Sequence, residues 1–249
     1  MDTIITERHD EILLIKLNRP RQRNALSTQL LEELASVIDT AEDDNAVRAV
    51  VLTGNEQAFS AGQDLKEVEP PNYIELINST FGRLEAMSKP TLAAIDGWCI
   101  AGGFELALCC DIRICSTGAK IGDWHARINS IGGAGATVRL VRTIGLARAK
   151  ELVFSGAALE SQGALTAGLV SHVFPSAELL GSAIALAKSF SVGSAITVGY
   201  AKKSLNAAAD MNLTDALAFS LQCQRAVRDA QSKSYSEQFA GRDPKGSQS

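Results

Sequence analysis

The chain has 249 residues, of which 46% are hydrophobic and 21% charged, and its formal net charge is −4, as is typical of a globular protein with a large buried core. A small negative charge does not favour nucleic acid as the main partner. A membrane span is not expected, because charged residues interrupt the most apolar region, residues 91–115.

The N-terminus and the cysteines bear on the cellular compartment. Residues 1–8 carry charges and lack the apolar segment of a secretory signal, so we expect a cytoplasmic protein. The five cysteines have no spacing typical of metal ligands, and four lie in or beside apolar runs. We therefore interpret all five as reduced core residues: Cys99, Cys109, Cys110, Cys115 and Cys223.

The first fifty or so residues predict two strands, a helix and a third strand. Apolar β-forming residues cluster at 3–6 and 12–17, with a polar turn containing His9 between them. Ser27 can cap a helix whose apolar residues recur at helical spacing. Residues 47–53 are then predicted to be a buried strand.

A buried strand followed by a glycine-containing turn occurs twice. Residues 91–95 are typical of such a strand, and Gly102 and Gly103 then precede a helical pattern. Residues 47–65 repeat the arrangement. Two such turns side by side can direct backbone N–H groups at one point, as in an oxyanion hole. Such repeats also occur in α/β proteins for architectural reasons alone.

Glu105 lies in the first turn of the helix after the second glycine turn. A carboxylate is favoured at that place by the helix dipole alone. The residues that follow are apolar, however, so we expect the carboxylate to lie at the edge of a core. A carboxylate in that environment can act as an acid or a base.

The middle of the chain continues the alternation of strands and helices. Two prolines precede a helix at 73–87, which we expect to cover the site, and a strand is predicted at 111–115. Residues 121–127 form a short irregular segment that contains His125. The glycines at 131–136 do not have the spacing of a dinucleotide fingerprint, and they predict a close-packed turn before a helix.

The last part of the chain changes from mixed to helical patterns. Residues 161–167 predict a turn and residues 169–174 a strand, in which His172 is interpreted as a structural residue. Three helical patterns follow, at 177–190, 195–209 and 213–227. We place the change of character near residue 190 and predict a polar tail from Arg242.

Several motifs together resemble the enoyl-CoA hydratase/isomerase (crotonase) superfamily over nearly the whole chain: residues 18–20 with 24–26, residues 58–65, residues 97–105 and residues 168–170. The resemblance implies an α/β fold in which residues 1–190 form a crotonase-like spiral of repeated ββα units with the acyl-CoA site. Residues 191–249 are then a C-terminal helical trimerisation region. It also implies a homotrimer or a dimer of trimers, a role in fatty acid metabolism, and no metal or redox cofactor.

The resemblance assigns site residues as well. It places the oxyanion-hole donors at the backbone N–H groups of Gln63 and Gly102, and the first catalytic glutamate at Glu105. Further residues are implied to line the coenzyme A and acyl site, although the arginines among them also fit a solvated loop: Arg21, Gln22, Arg23, Ala25, Ala61, Asp64 and Leu65. The segment implied to contact coenzyme A in a neighbouring subunit contains Phe239, Arg242 and Lys245.

His125 stands where the hydratases have their second catalytic glutamate, which the family's isomerases mainly use, so isomerase chemistry is disfavoured. We predict an enoyl-CoA hydratase in which Glu105 deprotonates water and His125 assists proton transfer or positions that water. One alternative is C–C bond hydrolysis, as in β-diketone hydrolases, whose aspartate nine residues later is Ala134 here. The other is a non-catalytic acyl-CoA or partner-binding protein. Trp124 and Gly132 replace common prolines, which implies a reshaped acyl pocket.

Overall fold

The computed structural model describes residues 2–231. The chain divides into two compact units, Met1–Val192 and Gly193–Ser249. Both β-sheets belong to the first unit, and the described part of the second is helical. The predicted coenzyme A segment around Phe239, Arg242 and Lys245 lies outside the described residues, as does the predicted polar tail.

The strands in the described residues form two sheets. They are β1 (Ile4–His9), β2 (Ile12–Leu17), β3 (Ala49–Thr53), β4 (Ala58–Ser60), β5 (Thr91–Ile95), β6 (Trp98–Ile100), β7 (Ile112–Ser116), β8 (Lys120–Gly122), β9 (Leu159–Glu160) and β10 (His172–Phe174). The larger sheet has six strands in the order β1-β2-β3-β5-β7-β10, and the smaller has four in the order β4-β6-β8-β9. β1–β2 and β8–β9 are antiparallel pairs, and the other neighbours are parallel.

The helices in the described residues are α1 (Thr28–Asp43), α2 (Tyr73–Ala86), α3 (Gly102–Leu108), α4 (Ala136–Ile144), α5 (Leu146–Ser155), α6 (Ser161–Ala167), α7 (Ser176–Ser189), α8 (Ala195–Ala208) and α9 (Leu213–Ala230). Short 3₁₀ helices occupy Pro20–Gln22, His125–Ile128 and Phe190–Val192. The predicted cap of α1 is confirmed, since the Ser27 hydroxyl accepts a hydrogen bond from Leu30 N–H at 3.2 Å.

From β3 to β8, consecutive strands alternate between the two sheets, and a helix follows each of two such strand pairs. β3 lies in the larger sheet and β4 in the smaller, and α2 follows; β5, β6 and α3 repeat this order. β3 pairs with β5 and β4 pairs with β6, so that the two units lie side by side. The α/β fold with repeated ββα units predicted from the sequence is therefore confirmed.

Short elements were the ones that the sequence patterns missed. Trp98–Ile100, between the predicted strand at 91–95 and Gly102, was not predicted to be a strand, but it is one because β4 and β8 pair with it on either side. The turn predicted at 161–167 is helix α6, which ends at Gly168 with a left-handed φ of 77°. His9 is not in the turn but ends β1, opposite Ile12.

The core has two layers, one on each face of the larger sheet. Alternate residues of a strand point to opposite faces, and on β2 Ile15 joins one hydrophobic cluster whereas Leu14 joins the other. The first cluster lies against α1, α2 and α3, and the second lies under Leu179 and Ala183 of α7. The central strands of the larger sheet are buried on both faces, and their sequences are therefore nearly continuous apolar runs.

The cysteines are free and buried, as predicted. Burial raises the pKa of Cys115 to about 12 and that of Cys99 well above its usual range. These thiols therefore remain protonated at neutral pH and act as small apolar core residues.

The described part of the second unit is a pair of packed helices, each with a capped start. Ser194 accepts from Thr197 N–H before α8, and Asn212 accepts from Asp215 N–H before α9. In residues 2–231 no single helix is both long and apolar enough to cross a membrane. Within these residues, only the consecutive segments Ser176–Val192 and Ala195–Ala208, taken together, are long and apolar enough for a span, and this judgement rests on length and composition alone.

The close approach of α3 to β4 requires glycine at position 103. A Cβ atom there would lie 2.3 Å from the backbone oxygen of Ser60. We expect Gly103→Ala to destabilise the fold by about 1–3 kcal/mol, because a backbone carbonyl cannot move aside cheaply. Thermal unfolding measures the change. Gly118→Ala is the control, since a Cβ at Gly118 would meet no atom within 4 Å; equal melting temperatures for the two variants would contradict the packing.

Candidate active site

The candidate active site lies at the carboxyl ends of three neighbouring parallel strands of the smaller sheet. β4 is followed by the turn with Gln63, β6 by the start of α3 with Gly102, and β8 by the segment with His125. Parallel strands bring their carboxyl ends to the same edge of a sheet, which is where α/β proteins commonly bind ligands. The structure therefore brings the residues predicted from three separate sequence segments to one place.

The two predicted oxyanion-hole donors lie where these turns meet. Leu26 N–H donates to the Gly62 carbonyl at 2.7 Å and Asp64 N–H donates to the Leu26 carbonyl at 3.1 Å, so that the intervening Gln63 N–H is turned away from Leu26. Gly102 begins α3, and its N–H has no acceptor within that helix. Within residues 2–231 neither N–H donates a hydrogen bond to the protein. A Cβ at Gly102 would lie 3.5 Å from Gln63 N, which shows how close the two turns are.

The backbone around Gly102 is held in an unusual conformation. Ala101 has φ 50° and ψ −126°, a region that costs a non-glycine residue about 1–3 kcal/mol. Its N–H donates to the Asp123 carbonyl at 3.1 Å, and its carbonyl accepts from Glu105 N–H at 3.0 Å. Gly62, with φ 92°, lies opposite, where a Cβ would be 2.9 Å from Gly102 N. These contacts fix the direction of the peptide that carries the Gly102 N–H.

The carboxylate of Glu105 is buried, as predicted, with 2% of the residue exposed. Its Oε1 accepts hydrogen bonds from Ala134 N–H at 2.8 Å and from Ala136 N–H at 3.0 Å. Its Oε2 lies 3.9 Å from His125 Nε2. Burial raises the pKa of Glu105, although both N–H groups and His125 oppose that shift. One oxygen is thus fixed by the protein, and the other faces the second predicted catalytic residue.

Gly132 lines this pocket directly. A Cβ there would lie 2.6 Å from Glu105 Oε1 and 3.2 Å from His125 Cε1. The neighbouring Gly133 is different, since a Cβ there would meet only Ile74 Cδ1, at 3.5 Å. The prediction of a close-packed glycine turn before a helix is confirmed, and the turn packs against Glu105 itself.

The glycine turn is fastened to α2 through Arg139 of α4. Arg139 donates to the Ala134 carbonyl at 2.7 Å, and two further bonds of 2.8 and 2.7 Å join it to the carboxylate of Glu85. Gly135 has φ 95°, and a Cβ there would lie 2.1 Å from Arg139 Nη1. Asn78 of α2 also donates to the Gly133 carbonyl, at 3.1 Å. Helix α2 thus covers this turn, as the sequence predicted.

His125 is buried beside a second carboxylate, which the sequence analysis did not assign to the site. Its Nδ1 lies 2.8 Å from Asp123 Oδ1, and Asp123 is 1% exposed. Burial lowers the pKa of His125, but the hydrogen bond and charge of Asp123, together with the charge of Glu105, outweigh burial and raise it. Asp123, His125 and Glu105 therefore form one buried row of ionisable groups.

The conformation of Trp124 brings Asp123 and His125 to the same side. Trp124 has φ 58° and ψ −14°, and His125 N–H donates to the Asp123 carbonyl at 2.8 Å across it. The indole of Trp124 packs edge-on against Trp98, with ring centroids 5.1 Å apart. The guanidinium of Arg127 lies 5.0 Å from the centroid of the Trp124 ring. The sequence spacing of Asp123 and His125 did not predict their contact, because the contact depends on the left-handed backbone at Trp124.

The residues implied to bind coenzyme A lie in two loops that hydrogen bonds hold together. Ala61 N–H donates to the Arg23 carbonyl at 3.0 Å, and Arg19 bonds the Ala25 carbonyl at 2.5 Å and Asp64 at 2.7 Å. Ala25, Ala61 and Asp64 are thus brought together. The remaining implied residues are exposed to solvent: Arg21, Gln22, Arg23 and Leu65, with Gln63 between the loops half-buried.

The sequence and the structure both resemble those of known proteins. The family model described as enoyl-CoA hydratase/isomerase matches residues 7–244. The chain is 36% identical over 222 residues to the 2,3-dehydroadipyl-CoA hydratase of Escherichia coli, covering 88% of this chain and 87% of that protein. It is 35% identical over 226 residues to the short-chain-enoyl-CoA hydratase of Clostridium acetobutylicum, covering 88% and 87%. A crystal structure of an enoyl-CoA hydratase from Bacillus anthracis matches with a TM-score of 0.91 at 34% identity, covering 96% and 95%.

Gly132→Ala tests the geometry of the pocket. The added methyl group would collide with Glu105 Oε1 and contact His125, so we expect kcat to fall by about 10²-fold as the reacting groups are displaced. Gly133→Ala is the matched control, because its methyl group would make an ordinary contact with Ile74. Steady-state kinetics on one substrate compares them, and equal kcat values for both variants would contradict this placement of Gly132.

Proposed function

The chain belongs to the enoyl-CoA hydratase/isomerase family, and from this premise we propose that it is an enoyl-CoA hydratase, a lyase that adds water to the C2=C3 bond of a 2-enoyl-CoA. The observation that carries the proposal is the distance of 3.9 Å between Glu105 Oε2 and His125 Nε2. At that separation one water oxygen beside the line that joins them can hydrogen bond both atoms. The hydratase names of the E. coli and C. acetobutylicum relatives support the same reaction.

The thioester carbonyl is polarised by backbone groups. In the proposed complex its oxygen accepts hydrogen bonds from the N–H groups of Gln63 and Gly102, which have no acceptor within the described protein. Polarisation draws electron density from C3 and stabilises the enolate that forms when C3 is attacked. This step requires no metal or redox cofactor, because fixed N–H dipoles supply the positive potential.

Glu105 and His125 handle the protons. Glu105 Oε2 accepts a proton from the water, whose oxygen bonds to C3, and His125 assists the transfer of a proton to C2 or holds the water. The two hydrogen bonds to Oε1 hold the carboxylate in place and leave Oε2 for the water. The product is a 3-hydroxyacyl-CoA.

The remaining parts of the proposal concern coenzyme A, assembly and location. Arg21 and Arg23 are exposed beside the loop of Ala61, where they can pair with the phosphates of coenzyme A.

Helix α9 has an exposed apolar row at helical spacing, formed by Leu213, Leu217 and Leu221. This row suits contact between subunits in a homotrimer or a dimer of trimers. Measurement of the mass in solution tests that assembly. A cytoplasmic role in fatty acid metabolism remains part of the proposal.

A screen of trans-2-enoyl-CoA esters of different chain length and branching tests the function. We expect at least one ester to lose its conjugated enoyl absorbance and gain the mass of one water. Glu105→Gln should lower kcat by about 10²–10⁴-fold, because the amide cannot take the proton, while acyl-CoA binding is retained.

A β-diketone substrate assayed beside the enoyl esters separates the two alternatives. Its cleavage into two shorter products, without hydration of any enoyl ester, would support C–C bond hydrolysis. Binding without turnover would support the non-catalytic alternative, and a Glu105→Gln protein as active as the wild type would reduce Glu105 to a helix-end carboxylate.

Two substitutions at Gly102 test the oxyanion hole. Gly102→Pro removes the N–H, whereas Gly102→Ala keeps it and adds the same Cβ, which would lie 3.2 Å from Leu26 Cδ1. We expect the proline variant to turn over about 10²–10³-fold more slowly than the alanine variant, as when one such donor is lost. Circular dichroism checks that both are folded, and equal kcat values would show that the Gly102 N–H does not contact the reacting oxygen.

A further inference from the structure

Each of the two predicted catalytic side chains has one atom held by the protein and one that faces the other residue. Glu105 Oε1 accepts two backbone N–H bonds, and Oε2 faces His125. His125 Nδ1 lies 2.8 Å from Asp123 Oδ1, and Nε2 faces Glu105. The atoms available to water and substrate are therefore Glu105 Oε2 and His125 Nε2.

The charges around His125 favour its protonated form. The imidazole lies between two carboxylates, Asp123 and Glu105, which are 1% and 2% exposed. Two buried carboxylates are costly unless a positive charge lies between or beside them. Within residues 2–231 the charged groups that act on His125 are these two: Asp123 from its own segment and Glu105 from α3.

The other elements packed around the pocket also contribute titratable groups. From α2, the phenol of Tyr73 donates to the Leu26 carbonyl at 2.8 Å, and burial raises its pKa, so it stays neutral. From α4, Arg139 is paired with Glu85, although its charge also acts on Glu105. Protonation of His125 itself would therefore place a positive charge between the two carboxylates.

We propose that Asp123 is a positioning residue that holds His125 as an imidazolium, with the Nε2–H group directed at the reacting atoms. The Nδ1–H donates to Asp123, so the ring cannot rotate and Nε2 carries the working proton. This inference rests on the proposed hydratase function and divides the chemistry: Glu105 is the base and His125 the acid.

The reaction consumes one molecule of water and returns both side chains to their starting protonation states. Glu105 Oε2 takes a proton from water, the oxygen bonds to C3, and the C2=C3 electron pair moves towards the thioester oxygen to give the enolate. The enolate then forms the C2–H bond with the proton from His125 Nε2. After the product leaves, the proton on Glu105 passes to Nε2 through water across the 3.9 Å gap, which restores the starting state.

The direction of the pH dependence follows from these roles. The pKa of His125 is raised by Asp123 and Glu105 against the effect of burial, and the imidazolium is lost as the pH rises through that value. The pKa of Glu105 is raised by burial, and its carboxylate is lost as the pH falls. We therefore expect kcat to decline at both low and high pH. Because Glu105 and His125 interact, the two apparent pKa values of this profile belong to the pair and not to either residue alone.

Asp123→Asn removes the charge of the positioning residue and keeps its size. The Asp123 carbonyl, which accepts from Ala101 and His125, is unaffected by this change. Loss of a carboxylate in contact should lower the pKa of His125 by about 1–3 units. The alkaline limit of kcat should move to lower pH by that amount, and kcat at pH 8 should fall about 10-fold or more, with little change in KM.

The kinetic test is the pH profile of kcat for wild type, Asp123→Asn and His125→Gln on one enoyl-CoA ester. His125→Gln should lose the alkaline limit altogether, since an amide does not titrate. Asp39→Asn is the control, because Asp39 is an exposed carboxylate on α1 that pairs with Arg83, and its profile should match the wild type. An active Asp123→Asn enzyme with an unshifted alkaline limit would overturn the proposal.

A second measurement needs no substrate. Nitrogen-15 NMR of labelled imidazoles distinguishes the two tautomers and the imidazolium, and the signal that His125→Gln removes identifies His125 among the three histidines. At pH 7 we expect both nitrogens of His125 to be protonated in the wild type and a neutral ring in Asp123→Asn, with the His9 and His172 signals unchanged.

The two measurements separate the possible failures. A neutral His125 in the wild type at pH 7 would overturn the role of Asp123, even if Asp123→Asn did not fold. A wild-type imidazolium together with no hydration of any enoyl-CoA would instead refute the proposed function, while the imidazolium held by Asp123 would stand.

Discussion

The buried carboxylate of Glu105 is the constraint on which the surrounding structure depends. A carboxylate removed from water needs hydrogen-bond donors or a positive partner, because desolvation disfavours its charged form. Its donors are the N–H groups of Ala134 and Ala136, and its ionisable neighbour is His125. None of the three belongs to α3. The two segments after β8 are therefore shaped around a side chain that α3 supplies, and α3 itself is buried along its whole length.

Hydrogen bonds from Arg139 keep those donors in position. Arg139 and Glu85 are 20% and 45% exposed at their side chains, and ion pairs that exposed contribute little to stability. Their effect is on geometry, because the same guanidinium also holds the Ala134 carbonyl. The glycine turn is thereby tied to α2, and Gly135 leaves the room that Arg139 needs. Hydrogen bonds therefore join helix α2 to the turn that donates to Glu105.

The parts of the fold that local patterns specify were predictable. Thr91–Ile95 is buried on both faces and was predicted with its observed bounds. The buried position of Glu105 was predictable because an apolar run follows it directly in the sequence. β6 has three residues, and its pairing with β4 and β8, rather than its composition, makes it a strand. Asp123 was missed for a related reason: its contact with His125 depends on backbone geometry that no spacing rule encodes.

The register of the smaller sheet explains how the two halves of the site are joined. Ile100 and Gly122 are paired at the ends of β6 and β8, so the next residues of each chain segment, Ala101 and Asp123, lie side by side and share a hydrogen bond of 3.1 Å. Both segments then turn through a non-glycine residue at positive φ, Ala101 at 50° and Trp124 at 58°. Each such conformation costs about 1–3 kcal/mol and persists only where neighbouring structure enforces it. The bond from Ala101 to Asp123 is part of that enforcement on both sides. The peptide that presents the Gly102 N–H and the segment that presents His125 are consequently fixed against each other through the backbone. A shift of either one would move the proposed polarising donor and the proposed proton-transfer group together.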